Sequence, residues 1–107
     1  MPRYLILWRR NPVAPWPRDP AEYLKLMEMV WAVIDGLMKK GEVKEFGWFL
    51  DGISGYAIGE GDGATVFRDV SMFGTYWDFE IHEIMPHEKG KEITRALIKE
   101  RIEAVKK

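Results

Sequence analysis

The stretch from Asp19 to Gly41 constrains the fold of this chain most strongly, because it carries signals for both ends of a long helix. Asp19 is followed by Pro20 and, three positions after Asp19, by an acidic residue at the capping-box position, which marks a helix start. Gly41 marks the end, directly after two lysines that suit the negative end of a helix dipole. Between them the apolar side chains follow the three-and-four spacing of one buried stripe: Tyr23, Met27, Val30, Ile34, Leu37 and Met38. We predict the main core helix here, from Pro20 to Lys40.

Four other segments predict β-strands, because aromatic and β-branched residues alternate in them with a period of two. They are Arg3 to Arg10, Val43 to Leu50, Ser54 to Glu60 and Trp77 to Pro86. The first segment is apolar on both faces, which is typical of a central strand. Asp51-Gly52 predicts a hairpin turn between the second and third strands.

Two further segments predict helices by their apolar spacing. They are Ala64 to Phe73 and Lys91 to about Lys106, the latter after a predicted turn at residues 87–90. The proline-rich segment Asn11 to Pro20 predicts a stiff loop. Trp16 in this loop allows two interpretations, a lid over a pocket or an indole that pins the loop to the surface, and the second is favoured.

The composition bounds the class of protein. A length of 107 residues, 47 % of them hydrophobic, fits a single domain covering residues 1–107. Basic and acidic residues are interspersed and give a net charge of -1, so nucleic acid is not an expected partner. Cysteine is absent, which excludes disulfides and thiolate metal sites and makes a cytoplasmic protein the expectation. The five-residue apolar run near the N-terminus predicts neither a signal peptide nor a membrane span.

The order of the predicted elements is β-α-β-β-α-β followed by a helix, which is the ferredoxin-like pattern of the α+β class. Right-handed crossovers then give a four-stranded antiparallel sheet with strand order 4-1-3-2 and the first two helices on one face. The other face carries large side chains whichever parity points outward: Trp8 or Leu7, Phe46 and Trp48 or Phe49, and Tyr56 or Ile58. Since an apolar face of that size is unfavourable in water, we expect a homodimer that pairs two such faces.

The element order, the first strand YLILWR and the last strand DFEIHEIMP resemble the dimeric α/β-barrel superfamily. Its members include muconolactone isomerase-like, YCII-like and antibiotic-monooxygenase-like proteins. The resemblance covers nearly the whole chain. It implies two sheets packed face to face, with any activity in a pocket between helices and sheet or inside the barrel. No catalytic motif of a named enzyme is present, and the chain has no recognisable cofactor signature.

The strongest functional signal is one of the two histidines, His82, which alternates with acidic neighbours on the last strand. With Glu80 it predicts an acid/base pair on the sheet face turned away from the helices. Trp8, Trp48 and Tyr56 are then expected to line a pocket for a small, partly hydrophobic molecule. The alternative, which is favoured, is a structural role for His82 in the interface of a non-catalytic homodimeric interaction module.

Metal binding is a third hypothesis. Residues 80–88 contain acidic side chains and both histidines of the chain. On a strand, however, Glu83 faces away from His82, and His87 lies beyond a proline. Two histidines without a spacing motif are weak support for zinc, so no metal ligand is assigned.

Overall fold

A four-stranded sheet and three helices make up the structure, a computed structural model that describes residues 1–106. Their bounds are β1 Arg3–Arg10, α1 Pro20–Lys40, β2 Val43–Trp48, β3 Ser54–Glu60, α2 Gly63–Ser71, β4 Trp77–Ile84 and α3 His87–Lys106. The chain therefore has the βαββαβ order of a ferredoxin-like α+β fold, followed by a C-terminal helix. The predicted fold class is confirmed.

The sheet is antiparallel throughout, and its strand order is β2-β3-β1-β4. This is the predicted order read from the opposite edge, with β1 as an internal strand. Trp8 on β1 lies opposite Gly55 of β3 and Phe79 of β4. Its neighbour Leu7 lies opposite Tyr56 and Glu80. Successive residues of β1 therefore belong to opposite faces of the sheet.

Helix α1 begins and ends where its capping residues require. The Asp19 carboxylate accepts a hydrogen bond from the backbone N–H of Glu22 at 3.1 Å. At the other end Gly41 has φ 81°, a left-handed conformation that glycine adopts without steric cost. Its N–H donates to the carbonyl of Met38 at 3.1 Å. Both predicted ends of the helix are confirmed.

One face of the sheet, which we call the helix face, is covered by α1 and α2 and holds the core. Ile6, Val43 and Ala57 of the sheet pack with Leu37 of α1 and Val66 of α2. Beside them, a second buried cluster is formed by Trp8, Met27 and Trp77. The opposite face, which we call the outer face, carries Leu5, Leu7, Tyr56, Ile58, Glu80 and His82. The four uncharged members of that set are half-buried, so both faces of β1 are apolar as predicted.

Besides the start of α3, four element ends differ from the predicted ones by one or two residues, and one of them is the end of α2, at Ser71 and not at Phe73. Strand β2 ends at Trp48 because the Asp51 carboxylate accepts hydrogen bonds from the backbone N–H groups of Ile53 and Ser54 and shapes the turn. Helix α2 begins at Gly63, since Asp62 caps it by accepting from the Thr65 N–H at 2.8 Å. Strand β4 ends two residues before Pro86, at Ile84.

The predicted turn at residues 87–90 is wrong, because α3 already begins at His87. The N–H of Gly90 donates to the carbonyl of Pro86 at 3.1 Å, which is the first hydrogen bond of the helix. A proline just ahead of a helix loses no bond there, so the turn continues into regular structure.

Helix α3 projects from the rest of the fold. Its 20 residues span about 30 Å and none of them is buried. The molecule therefore measures 72 × 28 × 24 Å. The apolar side chains of α3 lie in water along its length: Ile93, Leu97, Ile98, Ile102 and Val105. Within residues 1–106, no helix is both long enough and apolar enough to cross a membrane.

Candidate functional site

A cavity of about 310 Å³ lies between α1 and the helix face of the sheet. Its wall is almost entirely apolar, with side chains from all four strands and from α1 and α2. All five tryptophans of the chain line it: Trp8, Trp16, Trp31, Trp48 and Trp77. A pocket of this size and lining is typical of sites for small organic molecules.

The aromatic rings of the wall hold one another in place. Trp8 stacks on Phe46 with ring centroids 5.5 Å apart and an interplanar angle of 7°. Trp48 meets the Trp8 ring edge-on at 5.9 Å. Such pairs contribute about 0.5–1.5 kcal/mol beyond the area they bury. The cavity is therefore preformed by side chains that are already fixed before any ligand arrives.

Glycines in β2 and β3 let the rings of Trp8 and Tyr56 lie close to the sheet. A Cβ at Gly55 would contact the Trp8 ring and the carbonyl oxygen of Gly47. A Cβ at Gly47 would contact the Tyr56 ring on the other face. The small residues of this hairpin thus serve close backbone approach. The irregularity of the pair lies elsewhere, between Val43 and Glu45 of β2.

The indole Nε1 of Trp8 is a buried donor that finds no hydrogen-bond acceptor within residues 1–106. Trp8 as a residue is only 8 % exposed. A buried N–H without a partner costs about 1–3 kcal/mol, and tryptophan N–H groups usually find one when buried. An acceptor atom on a bound molecule would satisfy it.

One end of the cavity, which we call the Arg10 end, is formed by Arg10, Trp16 and Tyr23. The Trp16 indole N–H donates to the carbonyl of Asn11 at 2.7 Å, and its ring packs against Trp77. The proline-rich loop is therefore held by a packed indole, as the favoured interpretation predicted, and the same indole is part of the cavity wall. The Arg10 guanidinium lies 4.1 Å from the centroid of the Trp16 ring.

On α2, Asp69 also lines the cavity, and the residue is 7 % exposed. It accepts hydrogen bonds from Arg68, whose guanidinium also binds Glu42 at 3.1 Å. Burial, and then the hydrogen bond with Glu42, raise the pKa of Asp69 above the ordinary aspartate value. The hydrogen bond from Asp69, followed by the contact with Arg68, lowers the pKa of Glu42. Of these two carboxyls, Asp69 is thus the one that retains its proton more readily.

The sequence-predicted site residues fall into two groups on opposite faces of the sheet. Trp8 and Trp48 lie on the helix face and line the cavity. Tyr56, Glu80 and His82 lie on the outer face. The sheet separates the two groups, so the structure does not bring all five into one pocket.

On the outer face, His82 Nε2 lies 3.1 Å from a carboxylate oxygen of Glu80. Both side chains are more than half exposed, at 57 % and 65 %. The Tyr56 hydroxyl donates a hydrogen bond to the Glu45 carboxylate, and this bond, together with desolvation, raises the pKa of Tyr56. These groups form polar pairs on an open surface.

The cavity residues that the sequence prediction missed include Arg10, Phe46 and Asp69. A signal for the first was present, because Arg10 is two residues after Trp8 and shares its face. Asp69 lies three positions after Val66, which is buried, so helical spacing also pointed it inward. Because both residues are charged, the sequence suggested instead that their side chains point to solvent.

Within the part of the chain that the structure describes, no three His, Cys, Asp or Glu side chains lie close enough to hold a metal ion. The residues considered for metal binding are separated by the alternation of β4 and by the start of α3 at His87.

Comparisons with known proteins add no family to this geometry, since neither a protein-family model nor a curated protein matches the chain.

Proposed function

We propose that this protein binds a small, mostly apolar molecule in the cavity between α1 and the helix face. One observation carries the proposal: a preformed cavity of about 310 Å³ has an almost entirely apolar wall that includes Trp8, whose buried Nε1 has no acceptor among residues 1–106. Ligand pockets range over about 300–1,000 Å³, so this cavity suits a ligand of one or two rings. The ligand carries a hydrogen-bond acceptor such as a carbonyl oxygen, which removes the cost of the unpaired indole N–H.

The test compares two probes of nearly equal shape, 2-acetylnaphthalene and 2-ethylnaphthalene. Both fill the cavity, but only the ketone can accept a hydrogen bond. We expect the ketone to bind several-fold more tightly, because one such bond contributes about 0.5–1.5 kcal/mol. Calorimetry gives the two affinities, and ¹H–¹⁵N spectra follow the five indole N–H signals.

The ratio of the two affinities should fall to about one in the Trp8→Phe variant, which keeps an aromatic ring and removes the donor. In the wild type, the Trp8 indole proton should shift further with the ketone than with the hydrocarbon. Failure of both probes to bind at millimolar concentration would contradict the proposal. Equal affinities in the wild type would remove the role of Trp8 Nε1 and leave a purely apolar site.

A second candidate function is that of a homodimeric interaction module, and the exposed apolar side of α3 favours it. The apolar residues of α3 spread over about half of its circumference, and this arc is wider than a two-helix coiled-coil seam. Such an arc fits a flat apolar surface, and Leu5, Leu7 and Ile58 provide one on the outer face of a second copy. If the α3 helix of each copy buried its five apolar side chains on the other copy, the free energy of association would gain on the order of 10 kcal/mol. This gain is comparable with the cost of association.

The resemblance to the dimeric α/β-barrel superfamily supports a homodimer that covers the outer face, although members of that superfamily cover it with a second sheet and not with a helix. A second copy over the outer face would also enclose the His82–Glu80 pair, which lies 3.1 Å apart. Desolvated in this way, the pair has the composition needed for acid/base chemistry on a small molecule. His82 and Glu80 are therefore the residues of an enzymatic form of this second candidate.

Sedimentation equilibrium over a wide range of protein concentration tests the dimer. The wild type should dimerise, and Leu97→Glu/Ile102→Glu on the apolar side of α3 should be monomeric. The matched control, Ala96→Glu/Lys99→Glu, adds acidic groups to the polar side of the same helix and should remain dimeric. Leu7→Glu on the outer face should also dissociate the dimer. A monomeric wild type at 100-fold above typical assay concentrations would contradict the candidate.

A further inference from the structure

Among residues 1–106, two of the side chains that line the cavity carry a formal charge, Arg10 and Asp69. Asp69 is already bound by Arg68 on its own helix. Arg10 differs, because within residues 1–106 no carboxylate oxygen lies within 4 Å of its guanidinium. The cavity therefore contains a cation without a counter-ion.

The position of Arg10 is fixed from two sides. Its backbone N–H donates to the carbonyl of Ile53 at 2.8 Å. Its guanidinium lies over the rings of Trp16 and Tyr23, 4.1 Å and 5.2 Å from their centroids. Stacking occupies the flat face of a guanidinium but leaves its N–H edge available. That edge can bind a carboxylate through two parallel hydrogen bonds.

The neighbouring arginine, Arg9, differs from Arg10 in its surroundings. Arg9 lies on the outer face, is exposed, and does not line the cavity. Arg10 is half-buried in an apolar wall, where a charge pair is screened less by water than it is at an open surface. One half-buried guanidinium neutralises one negative charge, which favours a monoanion over a phosphate dianion.

We infer that the cavity ligand is an amphipathic carboxylate, with its apolar rings against the tryptophans and its anionic end on Arg10. This inference rests on the proposed ligand-binding function. Arg10 and Trp8 are two residues apart on one strand face, so their backbones are about 7 Å apart. A short molecule can therefore span from the Arg10 edge to the Trp8 ring.

The experiment compares 2-naphthoate with its neutral isostere 2-acetylnaphthalene, in the wild type and two variants. In the wild type we expect the carboxylate to bind about tenfold more tightly than the ketone. In Arg10→Gln the ratio of the two affinities should fall to about one or lower. Arg9→Gln removes the same charge from the adjacent residue and should keep the wild-type ratio.

Raising the salt concentration from 20 mM to 500 mM should reduce the ratio in the wild type and leave that of Arg10→Gln nearly unchanged. Urea unfolding of each variant verifies that the ratio is measured on folded protein. Arg10→Lys keeps the positive charge but loses the two parallel N–H donors of the guanidinium, so it should give an intermediate ratio. If the ketone binds and the carboxylate binds no better, or if Arg9→Gln changes the ratio as much as Arg10→Gln, the inference is overturned while the proposed function stands. If neither molecule binds the wild type, both are overturned.

Discussion

The two faces of the sheet in this protein differ in what covers them. On the helix face, Ile6 and Trp8 are buried beneath α1 and α2 and border the cavity. On the outer face, Leu5 and Leu7 are half-buried beside charged residues of β4. The helix face therefore combines apolar walls with an unpaired donor and an unpaired cation, which suits a small molecule. The outer face is wide and mixed in polarity, which suits a second protein surface.

The largest predicted effect contrasts Ile6 with Leu5, its neighbour of equal size on the opposite face. Ile6→Ala should lower the free energy of unfolding by about 3 kcal/mol, because it removes buried methylenes and enlarges a cavity. Leu5→Ala should cost about 1 kcal/mol in the single chain, since only part of its side chain leaves water on folding. Urea unfolding followed by circular dichroism measures both. If Leu5→Ala lowers the free energy of unfolding as much as Ile6→Ala does, and if this loss grows with protein concentration, a second copy covers the outer face.

The next effect concerns how closely β3 approaches Trp8. Gly55→Ala should lower the free energy of unfolding by about 2 kcal/mol, because a Cβ there would contact the Gly47 carbonyl oxygen and the Trp8 ring. The control is Gly36→Ala inside α1, where a Cβ meets nothing within 4 Å. It should raise the free energy of unfolding by about 1 kcal/mol through helix propensity. If Gly55→Ala left the free energy of unfolding unchanged, the side chains around Trp8 would be loosely packed.

The smallest effect is a difference in pH dependence between a helix-face carboxyl and a turn carboxyl. Burial, and then its hydrogen bond with Glu42, raise the pKa of Asp69 in the folded state. Its contribution to stability therefore falls as the pH rises from the unfolded pKa through the higher folded pKa. In the Asp69→Asn variant this decrease in stability with rising pH should be absent. Urea unfolding midpoints between pH 3 and pH 8 measure the difference.

Asp51 gives the opposite sign. The hydroxyl of Ser54, then the backbone N–H of Ile53, lower the pKa of Asp51 in the folded state. Its stabilising contribution is present above the ordinary aspartate pKa and is lost as the pH falls through the lower folded value. Asp51→Asn should therefore destabilise the protein at pH 7 and lose that effect at low pH. The same pH slope in both variants would contradict this assignment.

The fold could be predicted because its signals are local. Asp19 and Gly41 cap the long helix with their own side chain and backbone, and the alternation of the strands determines which residues share a face. Element ends were less predictable where tertiary hydrogen bonds decide them. The N–H of Phe49 donates to the carbonyl of Ser54 at 2.8 Å, which closes the hairpin turn around the predicted Asp51-Gly52 and ends β2 two residues earlier than predicted.

The candidate site was harder to predict than the fold. The sequence grouped Trp8 and Trp48, which line the cavity, with Tyr56, Glu80 and His82, which lie across the sheet. Chemistry-bearing residues attract attention in a sequence, whereas the cavity arises from the spacing between α1 and the strands. That spacing depends on the sum of many side-chain volumes, which no motif records.

The gathering of every tryptophan around one cavity has an optical consequence. The intrinsic fluorescence of this protein comes mainly from the helix face, and α3 contributes none of it. A change in emission therefore reports the filling or opening of the cavity, while dissociation of α3 from a partner leaves the spectrum almost unchanged. Emission and helix content, followed together in one denaturation, would separate the two halves of the molecule without any attached label.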